Sequence, residues 1–77
     1  MSSFNINDKV KIVKDIVGTK SKAMNKRGII KDISVDNGYN INVIETYDHI
    51  DGFGSKELDV KSGHGCVCLD EELILIK

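Results

Sequence analysis

Four side chains that bind soft or borderline metals lie within Tyr47–Leu69: His49, His64, Cys66 and Cys68. Zinc prefers thiolate sulfur and imidazole nitrogen, and it binds four such ligands in a tetrahedron. Residues two apart on a strand face the same side, roughly 6.6–7 Å apart, so Cys66 and Cys68 can both face one ion. The stretch therefore predicts one structural zinc site, with Asp51 as the reserve ligand.

The spacing of these residues leaves a metal-free alternative open. His64 can share an ion with Cys66 and Cys68 only if the chain bends, which the flanking Gly63 and Gly65 permit. No paired Cys-x-x-Cys finger pattern is present, and free cysteines are often simply buried. Two packed cysteines with two loop histidines are the alternative. A disulfide between the cysteines is not expected, because their Cα separation on a strand reaches the usual limit of about 6.8 Å.

Composition indicates one small folded domain over residues 1–77, with 40% hydrophobic residues. A domain of this size often needs a staple such as a metal, which favours the zinc prediction. The chain has no apolar run long enough to span a bilayer and no signal-peptide pattern. With two closely spaced cysteines, this predicts a cytoplasmic protein with reduced thiols.

The net charge of −1 hides an uneven distribution along the chain. Residues 1–31 carry eight basic and two acidic side chains, whereas residues 32–77 carry three basic and ten acidic ones. We predict an exposed basic loop between Gly18 and Gly28, and an acidic set in or beside the central stretch, as two partner-binding surfaces. For the basic loop, a solvated loop without a binding role is the alternative, and the pattern favours it. The basic loop residues are Lys20, Lys22, Lys26 and Arg27, and the acidic set is Glu45, Asp48, Asp51, Glu57 and Asp59.

Alternating apolar residues predict an all-β fold with five short strands, near Val10, Ile29, Ile41, Val67 and Leu75. Asp36-Asn37-Gly38 is a tight-turn signal for a hairpin, and Lys31 on the apolar face of its strand predicts either a bulge or an edge position. The central stretch up to Gly65 is expected to be a long loop, and Asp70–Glu72 a short helical turn. The outline is that of a small antiparallel SH3-like barrel with long loops, and an OB-like barrel is the runner-up.

Two stretches of the sequence carry a resemblance to known families. Asp8-Lys9-Val10 followed by Gly28-Ile29-Ile30 resembles the opening of SH3-like and KOW-type barrels. Asp48-His49, Asp51-Gly52 and Gly63-His64-Gly65-Cys66-Val67-Cys68 are similar to the C-terminal half of small SH3-like proteins from phages and prophages of Gram-positive bacteria. Some such proteins are anti-CRISPR proteins, including a zinc-containing inhibitor of the type II effector nuclease. This chain departs from the pattern at Cys66 and Cys68, where the family has aromatic residues.

The resemblance implies a phage-encoded protein that binds the type II CRISPR effector nuclease in the host cytoplasm and blocks loading of target DNA. An enzyme is not expected, since four zinc ligands would close the metal site and no acid–base pair has a telling spacing. A KOW- or SH3-like nucleic-acid-binding module is the alternative. It is less favoured because the chain is nearly neutral and has few aromatic residues.

Overall fold

The computed structural model describes residues 4–18, 20–34, 38–44, 50 and 52–76, which form a six-stranded antiparallel sheet. The strands are β1 (Lys9–Ile12), β2 (Arg27–Ile33), β3 (Gly38–Val43), β4 (Phe53–Ser55), β5 (Val60–Leu69) and β6 (Leu73–Leu75). Their order across the sheet is β4-β5-β3-β2-β1-β6, so β4 and β6 lie at the two edges. Short 3-10 turns at Ser21–Ala23 and Asp70–Glu72 are the helical elements of the described residues.

One face of the sheet carries the core because apolar residues alternate along the strands and meet in register. Ile30 of β2 lies opposite Ile41 of β3, which lies opposite Cys66 of β5. Val10 and Ile12 of β1 continue this face and are fully buried. The period-two pattern thus places one row of side chains in the core and the alternate row on the solvent side of the sheet.

Phe4 and Tyr39 pack against each other within the core. Their rings pack edge to face with centroids 5.4 Å apart, a favoured aromatic geometry. The Tyr39 hydroxyl donates a hydrogen bond of 2.8 Å to Asp70 Oδ1, which satisfies the polar end of a fully buried side chain. Gly28 is required on β2, since an added Cβ there would lie 2.5 Å from Ile41 Cγ2.

The all-β prediction is confirmed, and each of the five predicted strands is present. Of the two alternatives for the strand of Lys31, the edge position is wrong because β2 lies inside the sheet, and the β2–β3 register shifts between Ile30 and Asp32, which is compatible with a bulge. The 3-10 turn predicted at Asp70–Glu72 is present. In the predicted hairpin turn, Asp36 and Asn37 lie outside the described residues, while β2 and β3 pair as antiparallel neighbours.

The central stretch is not the single long loop that the sequence predicts. β4 and the first half of β5 form a hairpin there, with Ser55 opposite Val60. The sequence does not predict this hairpin, because Phe53-Gly54-Ser55 is short and has no alternation of apolar and polar residues. The sheet therefore has six strands, and among the described residues β4 and β6 do not pair to close it into a barrel.

No helix within the described ranges is long and apolar enough to cross a membrane.

Candidate functional site

The two cysteines lie side by side on the core face of β5. Cys66 is opposite Ile41 and Cys68 is opposite Tyr39, as the alternation of the strand requires. Their Sγ atoms are 3.7 Å apart, and both thiols are free. Cys68 is 1% exposed and Cys66 is 7% exposed. The two sulfurs converge, as their spacing on the strand predicts.

The sulfur spacing is compatible with half of a zinc site. Two thiolates at about 2.3 Å from a tetrahedral zinc would be about 3.8 Å apart, close to the observed separation. His64 is buried in β5, yet among the described residues no three His, Cys, Asp or Glu side chains converge to hold a metal. His49 and Asp51 lie outside the described residues. Two of the four predicted ligands are thus brought together, and zinc remains a prediction.

A buried ion pair lies next to the thiols and joins two distant parts of the chain. Lys20 Nζ is 2.8 Å from Glu72 Oε2 and 3.6 Å from Asp15 Oδ1. Lys20 is 4% exposed and Glu72 is 0% exposed. The prediction that Lys20 belongs to an exposed partner-binding loop is therefore wrong. Its ammonium is buried because Glu72 provides a counter-charge inside the fold.

The Glu72 carboxylate also accepts hydrogen bonds from two backbone N–H groups. Its Oε1 accepts the Leu69 N–H at 2.7 Å, and its Oε2 accepts the Ile16 N–H at 2.8 Å. Burial acts to raise the pKa of Glu72, but these two N–H donors and the Lys20 ammonium outweigh it and hold the pKa below its usual value. Burial likewise acts to lower the pKa of Lys20, while Glu72 and Asp15 raise it overall.

A solvent-open pocket of about 240 Å³ is lined by Lys20 of the ionic cluster and by Cys66. Lys20, Ala23, Ile50, Phe53, Gly65 and Cys66 are among the residues that line it. The pKa of Cys66 is lowered, first because the Cys68 thiol donates to its thiolate and also because of the Lys20 charge, against the effect of burial. The pKa of Cys68 is raised by its contact with Cys66 and by burial. Cys66 is therefore the cysteine of the pair that borders the pocket, and its pKa is the lower of the two.

The other predicted partner-binding residues are distributed over several surfaces. Lys22 and Arg27 are exposed, whereas Lys26 is half-buried. The basic loop therefore places only some of its predicted contact residues at the surface. Glu57 and Asp59 are exposed in the turn between β4 and β5. Glu45, Asp48 and Asp51 lie outside the described residues.

The solvent side of the sheet carries a second candidate site, which we name the outer-face patch. Its members are the basic residues Lys9, Lys11 and Arg27 and the aliphatic residues Ile29, Ile44 and Ile74. Lys11 lies opposite both Ile74 and Arg27, and Lys9 lies opposite Ile29. The Ile44 N–H donates to the Arg27 carbonyl at 3.0 Å, which extends the row onto the end of β3.

The sequence reasoning missed both the ion pair and the outer-face patch. The alternation of Lys9 and Lys11 with buried Val10 was a usable signal, because it places the two lysines on one face. Arg27 joins them only through the β1–β2 register, which no local pattern specifies. Lys20 and Glu72 are separated by most of the chain, so their pairing has no sequence signal at all.

Searches of this chain against protein-family models, curated proteins and solved structures found no match. The resemblance to phage inhibitors accordingly stays a prediction, and the function has to be argued from the geometry of the two sites.

Proposed function

We propose that this protein is a protein-binding domain that inhibits its partner by occupying a surface. The observation that carries the proposal is the outer-face patch, where the exposed aliphatic side chains of Ile44 and Ile74 flank the cations Arg27 and Lys11 on the solvent side of the sheet. Ile44 is 50% exposed and Ile74 is 47% exposed. The patch extends over β6, β1, β2 and the end of β3, about 14 Å across four neighbouring strands. Exposed aliphatic side chains and an arginine suit a protein interface, and the two lysines suit its polar rim.

The chemistry of the patch specifies a partner surface that is acidic and partly apolar. Lys9, Lys11 and Arg27 supply the charge, and carboxylates on the partner would complement them. The sequence resemblance supplies the candidate partner, the type II CRISPR effector nuclease. Glu57 and Asp59 keep their proposed role as a second contact, which would face the basic nucleic-acid channel of that enzyme. The proposal is a binding role and assigns no catalytic residue.

Inhibition of the purified nuclease tests the proposal. Guide-loaded enzyme is incubated with this protein, and cleavage of a matching DNA target is then followed over time. We expect cleavage to fall in proportion to the protein added, because the occupied surface cannot load DNA. The E57Q/D59N variant should inhibit less well, and Asn is chosen at position 59 because Asp59 has a positive φ of 56° that Asn tolerates. Undiminished cleavage at saturating protein would contradict this partner.

A nucleic-acid-binding role is the second candidate, and the same three cations favour it. Three phosphate contacts would give a salt dependence with a log–log slope of about −2.7, or about 40-fold weaker binding between 50 and 200 mM salt. Stacking on bases would have to come from elsewhere, since Phe4 and Tyr39 are buried in the core. A gel shift that persists at 150 mM salt and disappears in K9E/K11E/R27E would establish this role in place of inhibition.

A further inference from the structure

We propose that β6 pairs edge to edge with β6 of a second copy of this chain and so forms a symmetric dimer. The two strands run antiparallel about Ile74, and the two six-stranded sheets become one continuous sheet. This self-association goes beyond the proposed inhibition and does not depend on it.

The direction of the backbone groups along β6 follows from its pairing with β1. The Ile76 N–H donates to the Lys9 carbonyl at 2.9 Å, so residue 76 turns its backbone groups toward β1. This orientation alternates in an antiparallel ladder, so residue 74 also faces β1, whereas Leu73 and Leu75 turn their N–H and C=O groups to the opposite side. β6 is the edge of the sheet, and no strand of the described residues lies on that side.

The two outward residues of β6 offer backbone groups that complement each other. The Leu73 N–H already donates to the Asp70 carbonyl in the 3-10 turn, so Leu73 presents its carbonyl oxygen to the edge. Leu75 presents an N–H group. When a second β6 runs antiparallel with Ile74 opposite Ile74, the N–H of Leu75 meets the carbonyl of Leu73 in the other copy, and symmetry forms the same hydrogen bond again. This self-complementarity specifies a second copy of the chain as the occupant.

The side chains of β6 provide apolar area for this pairing to cover. Leu75 is 53% exposed and Ile74 is 47% exposed. Directly opposite residues of paired strands have Cβ atoms about 4.5–5.5 Å apart, so they are in contact. Ile74 therefore packs against Ile74 of the second copy on the solvent side of the sheet, and Leu75 packs against its Leu73 on the core side.

β6 lacks the features that protect an edge strand from pairing. Natural edge strands carry charged side chains, proline or a bulge. Leu73-Ile74-Leu75 has no charge and no proline, its register against β1 is regular, and its hydrogen bonding to β1 continues to Ile76. The other edge strand differs, because β4 contains Gly54 and runs directly into the exposed charged residues Lys56 and Glu57. The unprotected edge is therefore β6.

The cations near β6 leave this pairing possible. Lys11 lies opposite Ile74, so three strand spacings separate Lys11 from Lys11 of the second copy. At about 4.8 Å per spacing this distance is about 14 Å, which exceeds the Debye length of about 8 Å at physiological salt. Repulsion between the copies is therefore largely screened. The two outer-face patches lie on the same side of the continuous sheet.

Sedimentation equilibrium tests the proposal, from about 10 μM to about 1 mM because pairing over a small area is weak. The average mass should rise from that of one chain, 8.5 kDa, toward that of two chains and no further. L75K should associate at least about tenfold more weakly, since a charged side chain on an edge strand opposes pairing. V67K is the matched control, because Val67 is 56% exposed on an inner strand and its replacement should leave the association unchanged.

Cysteine cross-linking tests the register of the two strands. In the dimer the two residues 74 form a non-hydrogen-bonded pair with Cα atoms about 4.5 Å apart, which a disulfide can bridge. I74C should therefore form a linked dimer on mild oxidation, and peptide mapping should place the link between the two residues 74. I44C replaces an isoleucine that is similarly exposed just after β3, and it should not form such a link.

Any one of three results would overturn the proposal. The first is a parent protein that remains monomeric up to about 1 mM. The second is association of L75K equal to that of the parent, with circular dichroism showing the variant folded. The third is cross-linking of I44C as readily as I74C. None of these measurements involves the nuclease, so the dimer and the proposed inhibition are refuted by different results.

Discussion

Replacing Glu72 by Gln should be among the most destabilising single changes in this protein. The carboxylate is fully buried and receives three donors: the Lys20 ammonium, the Ile16 N–H and the Leu69 N–H. Gln offers one oxygen and one NH₂ group, so at least one donor loses its acceptor. Lys20 also loses its nearest counter-charge, and among the described residues it keeps Asp15 at 3.6 Å. Removing one partner of a buried pair costs about 3–5 kcal/mol, and we expect E72Q to fall in this range.

The scale of that loss can be compared with the whole stability of the domain. At about 0.05–0.15 kcal/mol per residue, a chain of this length has about 4–12 kcal/mol in total. A loss of 3 kcal/mol would lower Tm by about 12–24 °C. Lys20→Met should cost less, about 2–3 kcal/mol, because Glu72 still accepts two backbone N–H groups. The double variant K20M/E72Q should lose less than the sum of the two by about 1–3 kcal/mol.

Urea unfolding followed by far-UV circular dichroism measures these differences. Lys61→Met, a change at an exposed position of β5, is the matched control and should stay within about 0.5 kcal/mol of the parent chain. The reasoning would be refuted if E72Q and K20M each cost less than about 1 kcal/mol and their effects were additive, since that would mean that the pair is not coupled in solution.

Three further predictions concern pH, the Tyr39 hydroxyl and metal content. The folded pKa of Glu72 is below its usual 4.5, so its contribution to the free energy of unfolding should be complete above pH 4.5 and be lost as pH falls through the folded pKa. In urea titrations at several pH values, the E72Q variant should show a weaker dependence of this free energy on acid pH. Because the folded pKa of Lys20 is above its usual 10.5, its contribution should be complete below that pH and be lost only in stronger base. Tyr39→Phe should lower the free energy of unfolding by about 1–2 kcal/mol in the same assay, because the hydrogen bond from the Tyr39 hydroxyl to half-buried Asp70 is lost. An unchanged urea midpoint would show that water fully replaces this hydrogen bond. The zinc prediction requires one zinc ion per chain by elemental analysis, and the C66S and C68S variants should lose it. A molar ratio of zinc to protein well below one in the parent protein would contradict the prediction.

Local pattern predicted most of the sheet because each long strand alternates between a buried and a solvent face. Val10 and Ile12 mark β1, and Tyr39 and Ile41 mark β3, without any knowledge of their neighbours. β4 escaped prediction because Phe53-Gly54-Ser55 is held by its register against β5 and has no pattern of its own. Whether the sheet closes depends on which strands meet at its edges, which alternation does not encode.

The candidate sites likewise include one feature that local spacing predicts and two features that it does not. Two cysteines on one face of a strand follow from spacing alone, and the structure has them in contact. The burial of Lys20 could not be predicted, since a lysine in a lysine-rich segment ordinarily lies in solvent and its partner Glu72 is distant in sequence. The outer-face patch depends on the β1–β2 and β1–β6 registers, so it becomes visible only when the strands are paired.

Affinity for the purified effector nuclease, compared between two charge-reversed variants, tests the central claim most directly. K9E/K11E/R27E reverses the outer-face patch, while K14E/K56E/K61E reverses three exposed lysines elsewhere and changes the net charge equally. We predict that the patch variant binds at least about tenfold more weakly, with the largest difference at low salt, and that the control stays within about threefold of the parent protein. Equal weakening by both variants, or no binding by the parent protein, would contradict the account.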